Sequence, residues 1–132
     1  MRKLVATNSP FEKLYGYSRA VIDEPFAFVS GVVGYEEGTA TLPADIRRQT
    51  RNCWRIIAEA LGREGFELAD IVRATYYVTD RAYLVPVAEE CGAVLRDIRP
   101  ASTLVAVSGL MLPEMWVEIE VTAKRRPGAA AG

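Results

Sequence analysis

Two glutamates near the end of the chain are the acid–base groups whose spacing points to chemistry. The segment MWVEIEVTAK, residues 115–124, places Glu118 and Glu120 two residues apart, beside Trp116. Apolar residues occupy the alternate positions, which predicts a β-strand with both carboxylates on the same face. A carboxylate held in a partly dry cleft has a raised pKa and can accept a proton from water. The two glutamates therefore indicate either a solvated strand face or an acid–base pocket.

The lack of histidine narrows the chemistry that such a pocket could perform. The 132 residues include no histidine and two cysteines, Cys53 and Cys91. Without histidine, the Ser-His-Asp and Cys-His mechanisms and most zinc sites are excluded. Both cysteines lie on apolar stripes of predicted helices and outside any CxxC motif, so we interpret them as reduced core thiols. Acid–base chemistry is left to carboxylates, tyrosines, lysines, backbone groups or the substrate itself, and we expect neither a metal nor a cofactor.

Composition and charge are those of an ordinary globular protein. Half of the residues are hydrophobic, and sixteen basic and seventeen acidic residues give a formal net charge of −1. The sequence has no basic stripe of the kind that binds a nucleic acid, and no apolar run approaches the roughly 20 residues that a bilayer requires. We therefore expect neither a nucleic acid nor a membrane as a partner. The N-terminus has no apolar signal-peptide core, which predicts a cytoplasmic protein. The length predicts one domain, residues 1–126, with a disordered tail at 127–132.

Six predicted strands and two predicted helices would have to position the glutamates. Alternation and helical periodicity place strands at 3–7, 17–23, 26–34, 70–80, 101–109 and 115–124, and helices at 44–63 and 82–96. A turn is predicted around residues 8–10. Alternation in the strand at 70–80 predicts one face formed by Val72, Ala74, Tyr76 and Val78, and the other by Ile71, Arg73, Thr75, Tyr77 and Thr79.

This order of elements predicts a two-layer α+β sandwich. Two helices can cover only one face of a sheet of five to six strands. The other face would carry a mixture of aromatic, hydroxyl and charged side chains, from Arg73, Thr75, Tyr77, Trp116, Glu118 and Glu120. Such a face is too aromatic for water and too charged for a dry core. We therefore expect oligomerisation to bury it around polar, liganded cavities between subunits.

Six segments, in chain order, resemble the RidA/YjgF family. They are GYSRAV (16–21), FVSG (28–31), PADIRRQTRNCWRII (43–57), DIVRATYYVTD (70–80), RPAST (99–103) and VEIEVTA (117–123). The resemblance covers nearly the whole chain. It implies a chorismate-mutase-like fold with a mixed sheet, and a homotrimer that binds a small molecule in clefts between subunits. The best-known members of the family hydrolyse reactive enamines and imines.

The resemblance also implies roles for individual residues. Tyr17 matches a loop tyrosine of the family, and Ser30 with Gly31 matches the Ser-Gly pair that borders the cleft. Glu118 matches the glutamate that positions the hydrolytic water. Ser102 stands where the family has an arginine that binds the substrate carboxylate. A neutral hydroxyl cannot replace that charge, so Ser102 would select a substrate without the carboxylate or bind it weakly.

The missing arginine leaves two functions open. Losing a bidentate arginine–carboxylate contact weakens the binding of a 2-imino acid by about ten- to a thousandfold. Arg19 or Arg73 could supply the cation from another direction, but surface or interface salt bridges are the expected use of both. The first hypothesis is therefore an imine or enamine hydrolase of altered specificity. The second is a trimeric small-molecule-binding or protein-interaction module without turnover.

Overall fold

The chain folds into one mixed β-sheet covered on one face by helices. A computed structural model describes residues 2–128, so the end of the predicted tail, residues 129–132, lies outside the described part. The strands are β1 (Lys3–Val5), β2 (Ala20–Asp23), β3 (Phe26–Val33), β4 (Ile71–Val78), β5 (Ala101–Ala106) and β6 (Val117–Lys124). The α-helices are α1 (Pro10–Tyr15), α2 (Ile46–Gly62) and α3 (Leu84–Leu95), with short 3₁₀ turns at Leu68–Asp70 and Arg81–Tyr83.

The strand order across the sheet is β1-β2-β3-β6-β4-β5. Only β4 and β5 pair in parallel, because α3 crosses between them; the other neighbours pair in antiparallel fashion. The long helices α2 and α3 pack side by side on one face. This arrangement confirms the predicted two-layer α+β sandwich with two helices on one face of a mixed sheet.

Strand β6 lies next to the centre of the sheet and follows the alternation expected from its sequence. Val117, Ile119, Val121 and Ala123 are buried against the helices, and the residues between them face the other way. The facing stripe of α2 contributes Cys53, Trp54, Ile57 and Leu61 to the same core. Asp45 caps this helix by accepting hydrogen bonds from the backbone amides of its first turn. Within residues 2–128, no helix is long and apolar enough to cross a membrane.

Helix α1 was not predicted, although its ends are encoded locally. Ser9 accepts a hydrogen bond from the amide of Phe11, Pro10 occupies the first helical position, and Gly16 ends the helix with φ at +76°. A serine cap, a first-turn proline and a left-handed glycine are ordinary signals for the ends of a helix. The sequence at residues 8–10 therefore begins a short helix and not merely a turn.

The start of β4 also differs from the prediction. Ile71 pairs with Ala123 and Arg73 with Thr122, so Val72 is an extra residue that has no counterpart on β6. This bulge shifts the alternation by one position. Ile71 is consequently only 3% exposed in the core, while Val72 is 45% exposed, which reverses the predicted faces of these two residues.

Candidate functional site

The side chain of Glu118 lies against the backbone of Gly31. In the pairing of β3 with β6, Val29 is opposite Val121 and Val32 is opposite Ile119, so two residues of β3 occupy the space of one. This bulge contains Gly31, and a Cβ atom built there would lie 2.8 Å from the carboxyl carbon of Glu118. Any larger residue at position 31 would collide with the Glu118 carboxylate in this position.

Arg19 lies beside this contact. Its Nη2 atom donates a hydrogen bond of 3.1 Å to the carbonyl oxygen of Gly31, and its guanidinium carbon is 6.0 Å from the ring centroid of Tyr17. The buried Nε atom of Arg19 has no hydrogen-bond partner among the described residues. Tyr17, Arg19, Ser30, Gly31 and Glu118 thus form one group, here called the Glu118 cluster.

Ser30 joins the cluster through the loop that precedes β2. Its Oγ atom donates a hydrogen bond of 2.7 Å to the carbonyl oxygen of Ser18, and its amide donates one of 3.0 Å to the carbonyl oxygen of Arg19. These bonds fix the Tyr17–Arg19 segment against the bulge. The Ser30 hydroxyl oxygen keeps lone pairs with which it can accept a hydrogen bond from a ligand.

The electrostatic environment distinguishes the two glutamates of β6. Burial raises the pKa of Glu118; the nearby Arg19 opposes this effect, and the negative charge of Glu120 adds to it. Glu120 accepts a hydrogen bond from the Tyr77 hydroxyl, and this bond raises the pKa of Tyr77. Among residues 2–128, no group donates a hydrogen bond to the Glu118 carboxylate. Glu118 is therefore the carboxylate of the pair that accepts no hydrogen bond from a described residue, and both of its oxygens can accept one from a water molecule or a substrate.

Ser102 lies on the opposite face of the sheet from the Glu118 cluster. It pairs with Ala74, whose side chain is buried beneath the helices, and its Oγ atom is 3.5 Å from the Tyr76 hydroxyl oxygen. Glu118 pairs with Tyr77 and projects from the helix-free face. A single chain therefore cannot bring Ser102 and Glu118 to one ligand.

Arg73 is also separated from Ser102. It pairs with Ala101, the residue before Ser102, and is exposed on the helix-free face at the start of β4. Since neighbouring residues of a strand point to opposite faces, its guanidinium cannot enter the cavity that Ser102 of the same chain lines. Trp116, expected on the same face as Arg73, precedes β6 and stacks on Tyr83 with a centroid distance of 5.2 Å.

The cavity that Ser102 lines is a groove between α3 and the edge strand β5. Its volume is about 780 Å³, and its walls include Tyr76, Ala88, Cys91, Arg96, Arg99, Ser102 and Leu104. We call it the edge groove. Tyr76, Arg96 and Arg99 were not predicted as site residues. Two features of the sequence could have indicated this groove. One is the alternation of residues along β5, and the other is the pair of arginines that follows the apolar stripe of α3.

The remaining groups of possible chemical interest are structural. Cys53 and Cys91 are free and buried, which confirms the prediction of core thiols. Burial raises the pKa of both, that of Cys91 to about 11, so neither is a reactive thiolate at neutral pH. Within residues 2–128, no three side chains form a metal-binding group.

Comparison with solved structures first defines the class of protein. The fold, with its helix-free sheet face, is a chorismate-mutase-like sandwich of the type found in Rv2704 from Mycobacterium tuberculosis, a member of the YjgF/YER057c/UK114 family. The two chains are 39% identical, superpose with a TM-score of 0.87, and match over 95% of this chain and 100% of Rv2704.

Sequence comparison then gives the family. The Endoribonuclease L-PSP family profile matches residues 7–125, and this chain belongs to that family, which is the RidA/YjgF family that its six segments resemble. A RutC family protein from Aquifex aeolicus is 30% identical over 109 residues, 81% of this chain and 86% of that protein. The rat 2-iminobutanoate/2-iminopropanoate deaminase is 24% identical over 133 residues, 100% of this chain and 96% of the rat protein.

Proposed function

We propose that this protein is a homotrimeric hydrolase of imines or enamines, and that Glu118 activates the attacking water in clefts between subunits. The observation that carries the proposal is the state of the Glu118 carboxylate, which burial makes more basic and to which no described residue donates a hydrogen bond. A general base is most effective when its pKa is raised towards the working pH. The likeness to a deaminase of 2-imino acids gives independent support.

The proposed reaction needs few protein groups. Glu118 takes a proton from water while the water oxygen bonds to the carbon of a protonated C=N group, which becomes a C–N single bond. Glu118 then passes the proton to nitrogen. The C–N bond breaks with its electron pair on ammonia, and the new hydroxyl loses its proton to Glu118 as C=O forms. Transfer of that proton to ammonia regenerates the carboxylate, so an iminium ion and water become a carbonyl compound and an ammonium ion.

The other members of the Glu118 cluster would orient the reactants. The amide of Gly31 lies in a bulge, where a residue is left outside the regular ladder and can face a ligand. Ser30 is held in place by two backbone contacts and has a free lone pair for the polar end of the substrate. Tyr17, which is 39% exposed, would close the cleft over the ligand. Holding water and imine together in this way lowers the entropic part of the barrier.

A second copy of the chain is needed to complete the cleft. The helix-free face exposes apolar surface at Phe26, Phe28 and Val105, beside the polar residues of β4 and β6. A mixed face of this kind is typical of a surface that associates with further copies. In the proposed trimer, this face of one subunit meets the edge groove of the next, which brings Glu118 and Ser102 to the same cleft.

The alternative is a trimeric binding module without turnover, and the neutral Ser102 is the observation that favours it. The two functions are separated by generating 2-iminopropanoate in situ and following its decay with micromolar protein. We expect acceleration that Glu118→Gln abolishes and that Glu59→Gln, an exposed glutamate on α2, leaves unchanged. No acceleration by the unaltered protein would refute the hydrolase and leave the binding module. Analytical ultracentrifugation tests the trimer in the same samples.

A further inference from the structure

Two arginines at one end of the edge groove have no acidic partner. Among the described residues, neither Arg96 nor Arg99 has a carboxylate within ion-pairing distance. The acidic residue on the opposite part of the groove, Glu89, is already bound by Arg47, with 2.6 Å between Nη2 and Oε1. The groove therefore has one end with two uncompensated positive charges.

The backbone of Arg99 is unusual. Its φ angle is +57°, the only positive value at a residue other than glycine in residues 2–128. Its amide donates a hydrogen bond of 2.9 Å to the carbonyl oxygen of Leu95, at the end of α3. Glycine or asparagine fits such a position better than arginine does. Strained backbone conformations cluster at binding and active sites. The conformation of Arg99 at the rim of the groove therefore indicates a binding role for its side chain.

The inner wall of the groove combines an apolar surface with two hydroxyl groups. Ala88, Cys91 and Leu104 supply the apolar part, and the Tyr76 and Ser102 hydroxyls lie 3.5 Å apart. Burial raises the pKa of Tyr76 to about 12, so its hydroxyl remains a neutral hydrogen-bond donor. A short apolar chain with an anionic end fits these surroundings, because the cations lie at one end only.

We propose that the edge groove binds the carboxylate of a small 2-oxo or 2-imino acid through Arg96 and Arg99, with the substrate's apolar chain against Ala88 and Leu104. This inference rests on the proposed function, since it places the substrate's anionic end on one subunit and the reacting carbon near Glu118 of another. The two arginines then supply the charge that Ser102 lacks. Arg73 of the same chain has no part in this contact because it lies on the other face of the sheet.

The binding test uses 2-oxobutanoate as the probe and its neutral amide, 2-oxobutanamide, as the matched ligand. The test variant combines Arg96→Gln with Arg99→Asn, because asparagine accepts the left-handed backbone and preserves the fold. The control is Arg81→Gln, an exposed arginine outside the groove that also lacks an ion pair in residues 2–128. We expect the double variant to bind 2-oxobutanoate at least about tenfold more weakly, with the amide and the control unaffected.

The outcomes separate this inference from the proposed function. Equal affinity of the double variant and the unaltered protein for 2-oxobutanoate overturns the inference, and so does a lack of binding by the unaltered protein. An equal loss for the amide also overturns it, because charge would not be the cause. Arginine-dependent binding without imine hydrolysis refutes the proposed function alone. Glu118-dependent hydrolysis whose KM for 2-iminopropanoate is unchanged in the double variant refutes the carboxylate site alone.

Discussion

The carboxyl group of Glu118 packs on the backbone of Gly31, at the point where β3 has one residue more than the strand beside it. The carboxylate therefore occupies space that is open only because residue 31 has no side chain. A side chain at position 31 would displace the carboxylate, while the rest of the sheet would stay in place. The position of the proposed base is thus set by a backbone irregularity and not by a hydrogen-bonding partner.

Two glycine substitutions distinguish an effect on the candidate site from an effect on the stability of the fold. In Gly31→Ala, the three atoms nearest to the new methyl group all belong to the movable Glu118 side chain, so we expect hydrolysis to fall by about a hundredfold with little change in stability. In Gly34→Ala, the methyl group would lie 2.6 Å from the Cα atom of Gln49 on α2, and we expect a loss of about 1–3 kcal/mol of stability. Urea denaturation and the imine assay check both. Full activity in Gly31→Ala would contradict the assigned role of the contact.

The pH dependence of hydrolysis should report the Glu118 environment. The base must be ionised, so the rate falls as the pH drops through the pKa of Glu118, which burial places above the ordinary value of about 4.3. Arg19→Gln removes a cation that lowers this pKa, and we expect the acidic limb of kcat/KM to move to higher pH. Glu120→Gln removes a neighbouring negative charge and should move the limb to lower pH. If the acidic limbs of kcat/KM coincide in the unaltered protein and in both variants, the ionisation belongs to a group other than Glu118.

Neutralising Glu118 should stabilise the protein. The folded state raises the pKa of this carboxyl, so it binds the proton more tightly than the unfolded chain does. The free energy of unfolding therefore falls as the pH rises from the unfolded pKa, about 4.3, through the folded one, and stays lowered above it. We expect Glu118→Gln to be more stable than the unaltered protein at pH 7, by a margin that shrinks towards pH 4. Urea denaturation at both pH values measures this, and a margin independent of pH would contradict it.

Mixing chains with complementary defects tests whether the cleft is shared between subunits. Glu118→Gln chains keep the edge groove, and chains with Arg96→Gln and Arg99→Asn keep the carboxylate. If each cleft takes its groove and its Glu118 from different subunits, co-refolding equal amounts restores about a quarter of the clefts. We expect the mixture to exceed either variant alone in the 2-iminopropanoate assay. Activity no higher than the mean of the two separate variants would show that one chain supplies the whole site.

Elements with a repeated pattern could be predicted from the sequence. The alternation of residues 115–124 gave the faces of β6 correctly, and the stripe from Cys53 to Leu61 gave the buried side of α2. These patterns depend on local geometry and one dominant burial direction. Helix α1 has six residues, too few for a stripe, and only its caps at Ser9 and Gly16 mark it.

Features that depend on the partner strand could not be predicted. The bulges at Val72 and at Gly31 exist only in relation to β6, which lies far away in the sequence. The face of Ser102 depends in the same way on its pairing with Ala74. The sequence predicted Glu118 and Ser102 as residues of one cleft between subunits, but only the strand pairing shows that a single chain holds them on opposite faces.

The bulge at Gly31 has a consequence for chain length. Val29 and Val32 already pair with residues two apart on β6, so removing one residue between them would bring the two strands into step without turning any core side chain outward. The pairing of β3 with β6 and the packing of the core therefore do not depend on the additional residue. The additional residue instead shapes the surface on which the Glu118 carboxylate lies. We expect a chain shortened by one residue here to fold and to lose this surface alone.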